Sequence, residues 1–449
     1  MKTGWKKVKL SVALMSVAIS MTACGGEGKG GGDAGVSEPS ITTSTDVQKI
    51  VSTPTTLAIA YRGSGGTDEL FNSRFGDAIR KKFPNYTIEY VPVVSGETPI
   101  YASRMFSKTE PFDIVIETLV LTPQNVVDLG IARDISDLIK KYQFDLTQIE
   151  PMQIDMQRKL AKGGIYGLPW TTEQIVFVYN KDLFDKFGVA YPRDGLTWDD
   201  TYELARKLTR TENGQAYMGI QIDISNFAPY NQLSAPLIDA KTLNSRVTED
   251  PMKRLIENWA RFYKIPGNHN ASGKYVYSLD ALFKDQNVAM FIGTSGIIKR
   301  AADSGMNWDV AAMPVFPDKP GVGSQPMPNY VYITNKSSHP DAAFQVVAYL
   351  ASAEYQEWYA RTAAFLPALK NNAPIMKQFG AELKNFEGKK VASIIPPKYA
   401  DLVEPTAYTP VAQKHLINAV NAYLSGTDMN TALRQASDSI DKEVADMQK

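Results

Sequence analysis

Trp170 and Glu173 stand three residues apart in the run Ile165-Tyr166-Gly167-Leu168-Pro169-Trp170-Thr171-Thr172-Glu173, and the two side chains suit different parts of one kind of solute. An indole offers a flat face for the carbon-bound hydrogens of a pyranose ring, while the hydroxyls at the ring's edge need polar partners. Gly167 and Pro169 bound a very short strand, and residues 175–179 are too apolar to face water. Residues 170–173 therefore cross between two buried sheets, where a large aromatic and a carboxylate point to a cleft. The plainer alternatives are a tryptophan packed at the crossing and a carboxylate paired for structural reasons.

Other candidates follow from the elements that position them. Residues 56–60 read as a short buried strand, and the loop Tyr61-Arg62-Gly63-Ser64-Gly65-Gly66 follows. Residues 68–82 carry Leu70, Phe71, Phe75, Ala78 and Ile79 on a helical stripe, and residues 86–93 and 113–116 are again strand-like. This is a βαβ opening, so the fold class is α/β with a largely parallel sheet. Ligands of such sheets collect beyond the carboxyl ends of the strands, which nominates Arg62 to Gly66 and Glu117-Thr118. Arg62, flanked by glycine, is placed to meet hydroxyls or a ligand carboxylate, or else is a surface arginine. Glu117 is a cleft residue or a solvated loop carboxylate. Thr294 and Ser295 put two hydroxyls at the end of a strand over residues 288–292.

Further helix signals concern the fold alone. Thr197-Trp198-Asp199-Asp200 predicts a capping box opening a helix to residue 208, Asp250-Pro251 an N-cap with proline at the first helical position, and Asn430 the start of a last helix. Trp198, Trp259, Trp308 and Trp358 fall where packing wants an apolar side chain. Asp199, Asp200 and Glu203 read as helix N-terminal charge, and His269, His339 and His415 lie far apart with no HExxH, so no metal or other cofactor is implied.

Composition excludes whole classes. Basic and acidic residues balance at 48 each, and no basic stripe marks a nucleic-acid partner. Lys2, Lys6, Lys7 and Lys9 precede an apolar run over residues 10–21, and Met21-Thr22-Ala23-Cys24 ends in small residues and the only cysteine of 449 residues. That run is too short to span a bilayer and fits a signal peptide. Residues 25–53 are Gly-rich and then Ser/Thr-rich, which predicts a flexible tether. The remaining length exceeds what one core usually serves, so two lobes are expected.

The motif order resembles one family. Tyr179-Asn180-Lys181-Asp182-Leu183-Phe184, the later Thr197-Trp198-Asp199, Ala289-Met290-Phe291-Ile292-Gly293, Trp308 to Pro314, His339-Pro340-Asp341-Ala342-Ala343-Phe344 and Phe365-Leu366-Pro367-Ala368 are similar to the family 1 extracellular solute-binding proteins of ABC importers, the maltose-binding-protein-like group. The resemblance implies a two-lobed periplasmic-binding-protein-like fold, each lobe a sheet flanked by helices, joined by a hinge of crossings near residues 170–174, 317–330 and 368–374. It divides the chain into a lipoprotein signal peptide (1–23), a lipidated Cys24 with its tether (24–54), lobe 1 (55–170 and 328–370) and lobe 2 (171–327 and 371–449). It implies a monomer on the outer face of the cytoplasmic membrane, anchored through Cys24, that captures a small solute, with an oligosaccharide favoured, and hands it to permease subunits. By the same resemblance Glu173 accepts hydrogens from sugar hydroxyls, Tyr230 is an aromatic from the second lobe, and Asn329 and Tyr330 stand at a crossing. Where relatives often have a tryptophan this chain has Gly296. The competing function class is a secreted carbohydrate-active enzyme using Glu117 and Glu173 as acid and base.

Overall fold

The computed structural model describes residues 44–61, 67–93, 112–269, 275 and 277–449. Cys24 and Arg62 lie outside the described residues. Two five-stranded sheets organise the chain from Ser44 onward. The first uses β1 (Thr55–Tyr61), β2 (Tyr86–Pro92), β3 (Ile114–Thr118), β4 (Gly167–Glu173) and β10 (Met327–Ile333), in the order β2-β1-β3-β10-β4. The second uses β5 (Ile175–Asn180), β6 (Arg210–Glu212), β7 (Gln215–Ile222), β8 (Val288–Thr294) and β9 (Trp308–Ala311), in the order β6-β7-β8-β5-β9.

The largely parallel opening is parallel only over β2-β1-β3. β10 enters between β3 and β4 antiparallel to both, because the chain reaches it on the way back from the second sheet. The helices Pro340–Leu350 and Ala353–Ala363 then cover the first sheet, and Thr409–Leu424 and Met429–Met447 join the core of the second. The fold is therefore α/β and two-lobed.

Local sequence chemistry accounts for most boundaries. Thr197 and Asp200 form the reciprocal capping box, and the helix runs Trp198–Leu208. Two caps sit earlier than expected. Glu249 is the N-cap of Asp250–Tyr263 and makes no side-chain cap bond, so Asp250 itself is helical. Asp428, whose side chain accepts from the Thr431 amide, opens the last helix ahead of Asn430. The end of the predicted tether is also ordered, as a helix over Ser44–Ser52. Ile50 and Val51 pack on the first core, and Asn85 Nδ2 donates to the Val51 carbonyl at 3.3 Å. Val47, Ile50 and Val51 supply the i, i+3, i+4 face that the Ser/Thr-rich context obscured.

The chain passes from the first sheet to the second at the single residue Gln174. There the crossings are tied together: the Ile175 amide donates to Ser324 Oγ at 3.1 Å, and Gln174 Nε2 donates to the Ile394 carbonyl. A third connection bridges the two halves, since the Gly380 amide donates to Ala360 and the Lys390 amide to Asp309.

Candidate functional site

A cavity of about 470 Å³ lies between the two sheets. The first-sheet wall is Tyr61, Arg74, Ile116, Glu117, Thr118, Trp170 and Phe365, and the opposite wall comes from Leu279, Thr294 and the helix Ile297–Asp303. Glu173 and Asn329, at the ends of β4 and β10 where the sheets meet, complete it.

The elements explain who arrives. Strand alternation sends Asn329 to the cavity and Tyr330 to the other face, where Tyr330 is fully buried beside Tyr332 and donates to the Gln153 carbonyl at 2.8 Å. Tyr330 is thus a core residue and does not line this cavity. Phe365 is carried in by the turn after Ala353–Ala363, which closes with Ala364 in the left-handed region (φ 53°), and the Thr172 amide pins that turn through the Leu366 carbonyl at 3.0 Å. Trp170 is only 3% exposed, packed edge-on to Phe75 at 4.6 Å and against Tyr359 at 5.3 Å. It backs the cavity more than it presents an open face. Trp170 Nε1 and Thr118 Oγ1 have no hydrogen-bond partner among the described residues, so this wall holds two unsatisfied groups.

The two carboxylates are held differently. Glu117 belongs to β3, is 3% exposed, and accepts from the Thr118 amide at 2.9 Å and from Asn125 Nδ2 at 2.7 Å, so it is no solvated loop carboxylate. Glu173 reaches from the end of β4 to the Gly296 backbone on the opposite wall, and Asn329 of its own sheet lies beside it. Burial pushes its carboxyl above the ordinary value, against the pull of Arg74 and of the nearby Gly296 and Asn329 donors. A Cβ on Gly296 would sit 3.4 Å from Glu173 Oε2, so the carboxylate lies directly against this backbone. Glu117 and Glu173 are two strands apart and three residues out of register along β10, which separates their Cα atoms by about 14 Å at ordinary sheet spacings.

Thr294 lines the cavity, whereas Ser295 is 1% exposed and serves the crossing: its amide donates to the Gln174 carbonyl at 2.8 Å, and its hydroxyl accepts from the Gln174 amide at 3.4 Å. Tyr230 is 6% exposed and lies outside this cavity, in a small cleft with Leu119 and Val120 of the first half. Burial raises the pKa of its phenol.

Arg74 is the member that the sequence reading passed over. One Nη donates to the Tyr61 hydroxyl, and the guanidinium lies 5.4 Å from the Phe365 ring centroid and 5.9 Å from that of Tyr61. Burial works against its charge, but the phenols of Tyr359 and Tyr61, with Glu173, hold its pKa above the ordinary value. The signal was present: position 74 is three after Phe71 and four before Ala78, so a cation occupies the apolar stripe of its helix. A π turn over Asn72–Gly76 marks the same spot.

Two sheets joined by tied crossings, with a mixed aromatic and polar cavity between them, define a two-lobed binding protein. The profile of the bacterial extracellular solute-binding protein family matches residues 64–357, and the chain belongs to that family. Among relatives, it is 26% identical over 291 residues to a binding protein of Brucella abortus, covering 59% of this chain and 68% of that protein. It is 23% identical over 290 residues to the sn-glycerol-3-phosphate-binding periplasmic protein UgpB of the same species, covering 58% of this chain and 62% of that one. The fold is similar, at a TM-score of 0.68 and 16% identity, to an ABC substrate-binding protein of Listeria monocytogenes in complex with cycloalternan, over 87% of this chain and 99% of that one.

Proposed function

We propose that this chain is the receptor of an ABC importer, that it captures an oligosaccharide between its two sheets by hinge closure, and that Cys24 carries the lipid anchor. The carrying observation is the cavity itself, in which Tyr61, Trp170 and Phe365 supply aromatic carbon while Thr118, Thr294, Asn329 and Glu173 supply polar atoms. That is the mixture a pyranose needs. The Listeria protein with its bound cycloalternan supports the same reading. Closure follows if a solute touching both walls binds the closed state preferentially.

Glycoside hydrolysis is the weaker reading. A general acid needs a carboxyl free to hold and release a proton, and both oxygens of Glu117 already accept hydrogen bonds. A thermal-shift screen with neutral and acidic oligosaccharides tests the proposal: a solute at about 100 times its dissociation constant adds about 2.7 kcal/mol of stability. Release of smaller sugars from a bound oligosaccharide would contradict it. The anchor is tested separately by Cys24→Ser, which should release folded protein from membranes or leave an unprocessed precursor. Unchanged processing and retention would remove the anchor.

A further inference from the structure

The charged groups around the cavity are not equivalent. Three carboxylates line it, and each is already engaged: Glu117 holds the Thr118 amide and Asn125, Glu173 lies against the Gly296 backbone and Asn329, and Asp303 is paired with Lys299 at 2.6 Å. Two guanidiniums line it as well, Arg74 on the first wall and Arg300 on the second, and neither has a carboxylate within 4 Å among the described residues. Arg74 spends one donor on a neutral phenol and packs on two aromatic rings, so most of its planar fork is unused. Glu173 acts on Arg74 from beyond ion-pair distance, so no carboxylate is bonded to the fork and its free donors are open to an incoming anion.

We infer that the solute carries an anionic group, a carboxylate or a phosphate on a saccharide, and that Arg74 receives it with Arg300 closing from the opposite wall. This rests on the oligosaccharide reading above and narrows it to acidic saccharides. A neutral sugar leaves the Arg74 fork without a charged acceptor, whereas a uronate or phosphate matches it bidentately. Phe365 and Tyr61 then have a second use, holding the guanidinium plane in place.

The test uses calorimetric titration of the full mature chain with matched pairs of uronic-acid oligosaccharides and their neutral counterparts, and with glycerol 3-phosphate. The acidic member of a pair should bind at least about tenfold tighter, and Arg74→Gln should weaken the acidic member by about a hundredfold against less than about tenfold for the neutral one. Arg74→Lys should fall between, because it keeps the charge and loses the fork. Neutral sugars binding as tightly as acidic ones would overturn the inference and leave the oligosaccharide reading standing. Binding of glycerol 3-phosphate alone, lost in Arg74→Gln, would sustain the anion and sink the oligosaccharide. A readout without ligand completes the test: Arg74→Lys, which keeps the charge and loses the fork, should leave the urea midpoint of the free protein unchanged while it weakens the acidic ligand, and a clear fall in the midpoint would make Arg74 a structural residue and overturn the assignment.

Discussion

Two hollows of similar volume flank the crossings, about 470 Å³ between the sheets and about 430 Å³ behind them, and their linings share almost nothing. The front one is lined by Glu173 and the rear one by its neighbour Gln174, since successive residues of extended chain point to opposite sides. The front hollow gathers charged side chains from both halves of the molecule. The rear one is made largely of Ile175, Met313, Val315, Ile394 and prolines, with a single carboxylate, Asp194, already accepting from the Ala312 amide and Ser393 Oγ at 2.8 Å each. Volume alone does not separate a binding site from a joint. What separates them is whether polar groups converge from both sides, and that difference is open to experiment.

The largest effect is expected at Trp170. It closes the back of the front hollow and joins a ring cluster with Phe75, Tyr355 and Tyr359, so Trp170→Ala should cost about 3 to 5 kcal/mol in a urea melt as well as binding. A loss under about 1 kcal/mol would mean the cluster collapses around the gap.

Next comes a direct contest between the hollows. Thr294→Trp should fill the front and weaken solute binding by about a hundredfold or more, while Ala312→Leu in the rear should change affinity less than about tenfold. The reverse ranking in calorimetry would put the site behind the crossings.

A smaller effect concerns Glu173. Its carboxylate lines the front hollow, so Glu173→Ala should weaken solute binding by about ten- to a hundredfold. Unchanged affinity with a stability loss of about 3 to 5 kcal/mol would make it a purely structural link.

The smallest is a pH effect at the same residue. Burial raises the Glu173 pKa above its unfolded value, so its contribution is fully present below the ordinary carboxylate range and is lost as pH rises through the raised value. Glu173→Gln does not titrate, and the stability of wild type minus variant should therefore decline over that window in paired urea melts. A difference that rises with pH would show Arg74, Gly296 and Asn329 holding the carboxylate ionised.

How much of this was readable in advance depended on how local the cause was. The capping box at Thr197 and the strands around Glu117 and Glu173 were legible because turn chemistry and apolar runs act within a few residues. Of the site candidates, Trp170, Glu173, Glu117, Thr294 and Asn329 line one cavity. Ser295, Tyr230 and Tyr330 do not line it, because strand alternation and the tie to Gln174 turn them elsewhere. Phe365 and Arg300 were beyond reach, since they arrive from segments whose placement depends on tertiary packing. Arg74 lay between these cases: a cation on an apolar helical stripe is visible, but only knowledge of the facing sheet shows that the stripe ends at a cavity.

The central claim is capture between the sheets with closure about the crossings, and small-angle scattering with and without a saccharide that binds tests it most directly. The account predicts that the radius of gyration falls on saturation, and that Thr294→Trp, at a saccharide concentration that saturates the wild type but not the variant, shows no such fall. Saturating saccharide with an unchanged radius of gyration would contradict it, because the site would then be rigid and no closed form would be selected.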